Sequence, residues 1–382
     1  MIRIGLVGCG HIGTVHSFAL RQLGDAGLID ARVDATFDVD HERAAGIAQH
    51  HEAHPCAELA ELLDRVDAVW ICTWTSAHLE AVEAAAERSL AVFCEKPLAP
   101  TMAEAERLAV ALRRVPHQVG LVLRHAPVFR AAADLVAQGT YGRPLLAVLR
   151  DDQYFPIQGL YASAWRADVE KAGGGTLIEH SIHDVDVLRW VLGAAVGEPE
   201  DVSARTAAMF EHPGIDDATV LTFGFPGAVT ATIVSVWHQI LARGSLRRLE
   251  VFCEDALLWT DDDYLGPLHV ATSAGEELVE AAPPPWVDRL ELPEVLAKPL
   301  AQYAEPSKAF VDALRRDGDR ARGYPDVEIA IGAHRLVNRA YESAAAGGRP
   351  IRCETVARGT ERVEGGRGAR DNDRAQVPRS SA

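Results

Sequence analysis

Three short stretches carry residue types whose spacing suits redox chemistry on a small hydroxylated molecule. "GLVGCGHIGTVH" sets Gly8, Gly10 and Gly13 in G-x-G-x-x-G order, directly after an apolar run and at the opening of a helical one. In a dinucleotide site the first glycine makes a tight turn, the second lets backbone approach a pyrophosphate, and the third lets helix and strand pack closely. The helix N-terminus then offers free N–H groups and a positive dipole end to phosphate. Asp38 closes the next apolar run, "ARVDATFD", a little beyond the usual ~20 residues, where a carboxylate can accept hydrogen bonds from a ribose. It would repel a 2′-phosphate, so NAD is favoured over NADP. Asp40 is the better cap for the helix that follows.

The second stretch is "AVFCEKPLAP". Of 38 basic residues only Lys96, Lys171, Lys298 and Lys308 are lysines. Lys96 falls at the carboxyl end of an apolar run, with Glu95 before it and Pro97 ending the strand. An ammonium there can polarise a hydroxyl or carbonyl oxygen, and desolvation would lower its pKa. By position alone, a solvated lysine at a turn is an equal reading.

The third stretch, "AGGGTLIEHSIHDVDVLRWVLG", fills residues 172 to 193. On a helix at ~100° per residue, Ile178, Ile182, Val185 and Leu192 form a core stripe, and Glu179, His183, Asp186 and Trp190 share one flank. Glu179 and His183 are then an i, i+4 pair that can share a ligand. His180 and Asp184 fall on another side and read as structural or interface residues. Gly173, Gly174 and Gly175 permit tight entry into the helix and close approach of a ligand to backbone. A neutral imidazole near a substrate hydroxyl, oriented by a carboxylate, is a general-base arrangement. His183 is the candidate base, with Glu179 as its partner or as a binder of a neighbouring hydroxyl. A bare Glu/His pair is more often solvated or capping. A zinc site built on His180 and His183 is set aside, because their directions diverge by ~60° and no third ligand cluster appears.

These residues need a scaffold. Up to about residue 120, short β-rich runs alternate with helical ones, the pattern of a doubly wound parallel sheet with helices on both faces. From about 200 to 270, "ATVLTFGF", "TATIVSVW" and "RRLEVFCEDALLW" read as strands of an antiparallel sheet. Two helices follow, "PSKAFVDALRR" and "DVEIAIGAHRLVNRAYESAAAGG". The expected organisation is a dinucleotide-binding Rossmann domain over 1–122, an α+β domain for substrate binding and oligomerisation over 123–356, and a polar tail over 357–382 too poor in apolar residues to offset its ordering entropy.

Composition narrows the partners. A chain of 382 residues has room for two cores. A net charge of -17 with no basic run speaks against nucleic acid. No stretch has the length of a membrane span or the order of a signal peptide. The cysteines, Cys9, Cys56, Cys72, Cys94, Cys253 and Cys353, form no Cys-x-x-Cys pair and read as reduced cytoplasmic thiols.

Taken together, the glycine loop, Glu95-Lys96-Pro97, and the triple glycine leading to Glu179 and His183 resemble the Gfo/Idh/MocA oxidoreductases, over residues 1 to about 350. The resemblance implies a Rossmann domain, a second domain with a large open, mostly antiparallel sheet, and NAD(P)-linked chemistry on sugars, cyclitols or related polyols. It implies that Lys96 is catalytic, beside His183 and Glu179. Cofactor contacts would come from Gly8, Gly10, His11, Ile12, Gly13 and Asp38, then Thr73, Trp74 and His78, then Glu95 and Lys96. Substrate contacts would come from Lys96, Arg124, Trp165, Arg166, Glu179 and His183, with His238 a further possibility. Two positions depart from the family's pattern: Glu179 replaces an aspartate, and Trp74 stands in a turn that is usually Thr-Pro-Asn-like. The expectation is a homodimer or homotetramer, joined through the second sheet, that oxidises a secondary alcohol with NAD. Its rivals are a glycosidase that retains NAD and a non-catalytic dinucleotide sensor, the latter opposed by the presence of both Lys96 and His183.

Overall fold

The computed structural model describes residues 1–158, 163–240, 242 and 244–353; the expected tail over 357–382 lies outside them. Its first layer is built from strands β1 (Ile2–Val7), β2 (Ala31–Phe37), β3 (His54–Pro55), β4 (Ala68–Ile71), β5 (Ala91–Cys94) and β6 (His117–Val119). Between them run helices α1 (His11–Asp25), α2 (His41–His51), α3 (Leu59–Leu63), α4 (His78–Glu87) and α5 (Met102–Leu112). The strands pair in parallel in the order β3-β2-β1-β4-β5-β6. β4 and β5 are buried along their whole length, as strands covered on both faces must be. The strand order reverses between β1 and β4, so a crevice opens above their carboxyl ends. The glycine loop, Thr73 and Lys96 all leave the sheet at that edge.

The second layer follows as α6 (Pro127–Gln138), β7 (Pro144–Tyr154), α7 (Val169–Ala172), α8 (Thr176–Glu179) and α9 (Ile182–Val196). Strands β8 (Asp201–Ala207), β9 (Ala218–Phe225), β10 (Val229–His238), β11 (Leu246–Cys253), β12 (Ala256–Thr260), β13 (Leu268–Thr272), β14 (Gly275–Val279) and β15 (Ile351–Arg352) complete a nine-stranded sheet. Its order is β14-β13-β12-β11-β7-β10-β9-β8-β15, antiparallel except for the β7–β10 pair. Burial alternates along β10, because one sheet face packs on α6 and α9 while the other is open. The run expected as a single strand over "RRLEVFCEDALLW" turns at Glu254–Asp255 into the β11–β12 hairpin.

The last two helices, α10 (Glu294–Asp317) and α11 (Val327–Ala345), return to the first layer. α10 starts well before the expected Pro306 and runs through Pro299 and Pro306. An interior proline costs ~3 kcal/mol in a free helix. Packing offsets it here: Leu300, Ala304, Phe310 and Val311 bury against Ile4, Leu6, Trp70 and Phe93. Phe310 sits 5.7 Å from the Trp70 ring, which stacks on Phe93 at 5.5 Å, and burying one such side chain is worth about 1.5–3 kcal/mol.

Candidate active site

The glycine loop has the shape that a dinucleotide requires. Gly8 adopts φ +94, and a Cβ there would strike the backbone of Cys72 and Thr73 at 2.6 Å. A Cβ on Gly13 would meet the Gly8 carbonyl at 2.1 Å, so helix and loop can close only without side chains. Gly10 faces open space, and as the α1 N-cap it supplies no side-chain acceptor to the first-turn N–H groups. Those donors remain for a pyrophosphate. Asp38 accepts from the Cys9 N–H at 2.6 Å and the Asp40 N–H at 2.8 Å. It braces the loop and, with ~4 lone-pair sites, keeps capacity for ribose hydroxyls. The Thr73 hydroxyl is buried without a partner beside the same crevice. These residues fit NAD. Asp40 caps α2 as expected, accepting from the Glu42 and Arg43 N–H groups.

Lys96 leaves β5 between two fixed points. The preceding Glu95 is buried, its carboxylate taking the His16 ring at 2.7 Å and the Lys96 N–H at 3.1 Å. The hydrogen bond from His16 and the nearby Lys96 ammonium outweigh burial and hold this carboxyl below its usual range. The Lys96 ammonium donates to the backbone carbonyl of Glu179 at 2.7 Å, across from the first layer to the second. Burial pushes its pKa down, against the pull of Glu179 and Glu95.

The triple-glycine segment is not one helix. α8 ends at Glu179, the backbone breaks at His180 (φ -124, ψ -59), and α9 starts at Ile182. Glu179 and His183 therefore do not form the i, i+4 pair expected of a continuous helix. The Glu179 carboxylate accepts from the Thr75 hydroxyl at 2.7 Å and pairs with Arg166 at 3.2 Å, so it does not orient His183. The glycines make room for protein rather than for a ligand. A Cβ on Gly173 would reach Pro100 at 2.6 Å, on Gly174 the Tyr341 hydroxyl at 2.4 Å, and on Gly175 the Asp216 carbonyl at 1.7 Å.

Both layers line a single cavity of about 430 Å³, shared by Lys96, Thr73, Glu179, His183 and residues of β7 and β11. His183 has its Nδ1 buried with no partner. Burial, then the charges of Lys96 and Arg247, push its pKa well down, so the ring is neutral. His180 shares the cavity, its Nε2 lying 2.9 Å from Asp151 of β7. Arg247 of β11 reaches Asp151, Asp184 and Asp263 at 3.2, 2.7 and 2.6 Å. A second concavity of about 470 Å³ lies among α5, α9 and α11, away from the sheet edge. Its arginines are already paired: Arg189 with Glu198, Arg335 with Glu106 and Arg339 with Glu342.

Comparison with known proteins decides the lineage. Residues 2–122 match the oxidoreductase family with an NAD-binding Rossmann fold, and residues 129–258 match the Gfo/Idh/MocA C-terminal domain. The chain belongs to the Gfo/Idh/MocA oxidoreductases. It is 29% identical to the uncharacterized oxidoreductase YrbE of Bacillus subtilis, over 65% of this chain and 70% of that one. It is 28% identical to myo-inositol 2-dehydrogenase of Thermotoga maritima, over 68% and 75%. The solved levoglucosan dehydrogenase in complex with NADH and levoglucosan shares its fold, with a TM-score of 0.79 over 93% of this chain and all of that one, at 20% identity.

Against this Gfo/Idh/MocA frame the expected residues divide. His11, Ile12, Thr73, Glu95, Lys96, Trp165, Arg166, Glu179 and His183 line the cavity. Arg124 does not: its guanidinium is held by Asp186 through two 2.7 Å bonds and by Tyr324 at 3.0 Å. His78 is a buried brace, its ring nitrogens 2.9 Å from the Pro97 carbonyl and 3.2 Å from that of Thr73. Trp74 sits outside the lining, under the Lys171 ammonium at 5.7 Å. His238 approaches Asp152 at 3.5 Å. Of the two residues expected to be structural or at an interface, His180 lines the cavity, while Asp184 is buried behind it against Arg247. Asp151 and Arg247 were missed, because a charged residue within a strand gives no sign of which face or partner it will have.

Proposed function

We propose that this oxidoreductase removes a hydride from a secondary alcohol of a cyclitol, sugar or related polyol, reversibly, with NAD as acceptor. The observation that carries this reading is the meeting of the Lys96 ammonium and a neutral imidazole in a single cavity beside a loop that only glycines can form. The rest of the lining suits a polyhydroxylated ligand, since Gln153, Tyr154, Ser245 and Arg247 offer hydrogen bonds. The names of relatives, myo-inositol 2-dehydrogenase among them, point to the same class.

NAD supplies the hydride acceptor, and the chain supplies position and charge. Lys96, held on the Glu179 carbonyl, stabilises the developing alkoxide, while a neutral imidazole takes the hydroxyl proton. His183 is the candidate drawn from the sequence. The test is NADH formation across inositols, hexoses and amino sugars, with NAD and with NADP. Turnover of at least one cyclitol or hexose, faster with NAD, is expected. Tight NADH binding with no turnover on the whole panel would favour a dinucleotide sensor.

The same reading extends to assembly and location. Leu146, Val220, Val234 and Phe252 lie on the open face of the nine-stranded sheet, each more than a third exposed. An apolar stripe across adjacent strands suits a second copy of the chain as a homodimer or homotetramer. The six buried free cysteines are in keeping with a reducing cytoplasm.

A further inference from the structure

At the outer edge of the first sheet, away from the cavity, three side chains of different donor chemistry converge. β3 is two residues long, His54 opens it, Cys56 follows it, and Glu61 reaches back from α3. The His54 Nε2 lies 2.8 Å from Glu61 Oε1, and the Ala57 N–H donates to Oε2 at 3.1 Å, so the carboxylate is held at both oxygens. Cys56 is 2% exposed, its N–H donates to the Thr36 carbonyl of β2 at 2.8 Å, and its thiol makes a long 3.8 Å contact with the His54 carbonyl. Among the described residues, this group brings an imidazole nitrogen, a sulfur and a carboxylate oxygen within 4.8 Å of one another.

These are the donors of a borderline-soft divalent ion such as Zn²⁺, which binds them at ~2.0–2.3 Å and so spaces them ~3.3–3.8 Å apart on a tetrahedron. Small movements reach that spacing: the imidazole and carboxylate must part from hydrogen-bond contact and close on the sulfur. The His54 and Glu61 side chains are 45% and 39% exposed, so their ends can turn, while Cys56 is anchored through its backbone. Mg²⁺ and Ca²⁺ prefer oxygen donors and gain nothing from the sulfur. The charges also suit a cation. Hydrogen bonds from His54 and Ala57 hold the Glu61 carboxyl below its usual range. Burial and Glu61 push the Cys56 thiol up to about 11, and the neighbouring Arg65 offsets only part of this. When Zn²⁺ binds, the thiol proton leaves to solvent, and thiolate and carboxylate together balance the ion's charge.

We propose that His54, Cys56 and Glu61 form a zinc-binding site that staples β3 and α3 together at the edge of the first sheet, with water in the fourth position. The Ala57 N–H orients the carboxylate from behind, as outer-shell donors do. β3 is joined to β2 through the Ala35–His54 and Thr36–Pro55 pairs alone, so a metal bonded to both β3 and α3 adds a link where the sheet has fewest. None of the three residues lines the Lys96 cavity, and the site does not depend on the polyol dehydrogenase reading.

The test uses the full chain, stripped with EDTA, and its His54→Gln, Glu61→Gln and Cys56→Ser variants, each checked for folding by circular dichroism and for NADH binding by fluorescence. Co²⁺ should bind the parent with the near-ultraviolet charge-transfer band of a cobalt thiolate, and Zn²⁺ should displace it. Cys56→Ser should abolish that band. His54→Gln and Glu61→Gln change exposed side chains, so they should keep the fold and NADH affinity. Each should weaken Zn²⁺ at least ~10-fold in competition with a chelating dye, since even an outer-shell loss costs that much. Zn²⁺ should also raise the Tm of the parent, and raise it less in His54→Gln. If Cys56→Ser does not fold, the two surface variants decide. Co²⁺ bound without the thiolate band, a band that survives Cys56→Ser, or equal Zn²⁺ affinity in the parent and His54→Gln would each overturn the proposal.

Discussion

At the scale of single residues, the site works through groups with few free valences. The Glu95 carboxylate is committed to His16 and its own chain, Glu179 to Thr75 and Arg166, and Arg124 to Asp186. Asp38 is the informative case, because it has two duties. It holds the glycine loop through the Cys9 N–H, and in the proposed NAD site it would also accept from the ribose. Asp38→Ala should therefore weaken NADH at least ~10-fold in a fluorescence titration, since a hydrogen bond to a charged group contributes ~1.5–3 kcal/mol. An unchanged affinity would leave Asp38 as a brace only. The glycine loop and the cavity positions of Lys96 and His183 were legible in the sequence, although the i, i+4 spacing that singled out His183 fails at the α8–α9 break. Asp151, Arg247 and the true partner of Glu179 were not, because their contacts join strands and helices distant in sequence.

At the scale of elements, the turn after β5 and the α8–α9 break are held by close backbone contacts. Gly173 abuts Pro100, and His334 of α11 donates to the Ala99 carbonyl at 2.9 Å, so that the segment carrying Lys96 is fixed from both sides. Periodicity placed a helix over residues 176–193, yet it could not show the break at His180, because Gly175 bonds to Asp216 and fixes a short α8 on its own. Gly175→Ala puts a methyl 1.7 Å from the Asp216 carbonyl and should give little folded protein or a sharply lowered Tm. Gly46→Ala, in α2 with nothing within 4 Å, should instead raise stability by about 0.5–1 kcal/mol. Thermal melts of the two variants would separate close packing from general tolerance.

At the scale of the whole molecule, α10 and α11 return from the second layer to close the first, a long-range arrangement that no local pattern in the chain announces. The layers are tied by buried neutral histidines. His125 donates to the Tyr324 carbonyl at 2.7 Å, and burial lowers both His125 and His334 to about 4. Unfolded histidine protonates near 6.5. The unfolded chain therefore binds more protons between these values, and stability is full above about pH 6.5 and falls as pH drops towards about 4. Each histidine contributes on the order of 3 kcal/mol to that slope. Melts from about pH 7 down to about pH 4.5 should show a falling Tm, with a shallower fall in His334→Gln. A Tm flat across that range would contradict the burial argument.

The account depends above all on Lys96 acting across the boundary between the layers, on a hydroxyl bound near Glu179 and the two histidines. The direct measurement compares NAD reduction by the parent and by Lys96→Met, on the best polyol of the panel, with NADH binding followed in parallel. A loss of ~10²- to 10⁴-fold in kcat with NADH affinity retained is the predicted result. Turnover by Lys96→Met at the parent rate would contradict it.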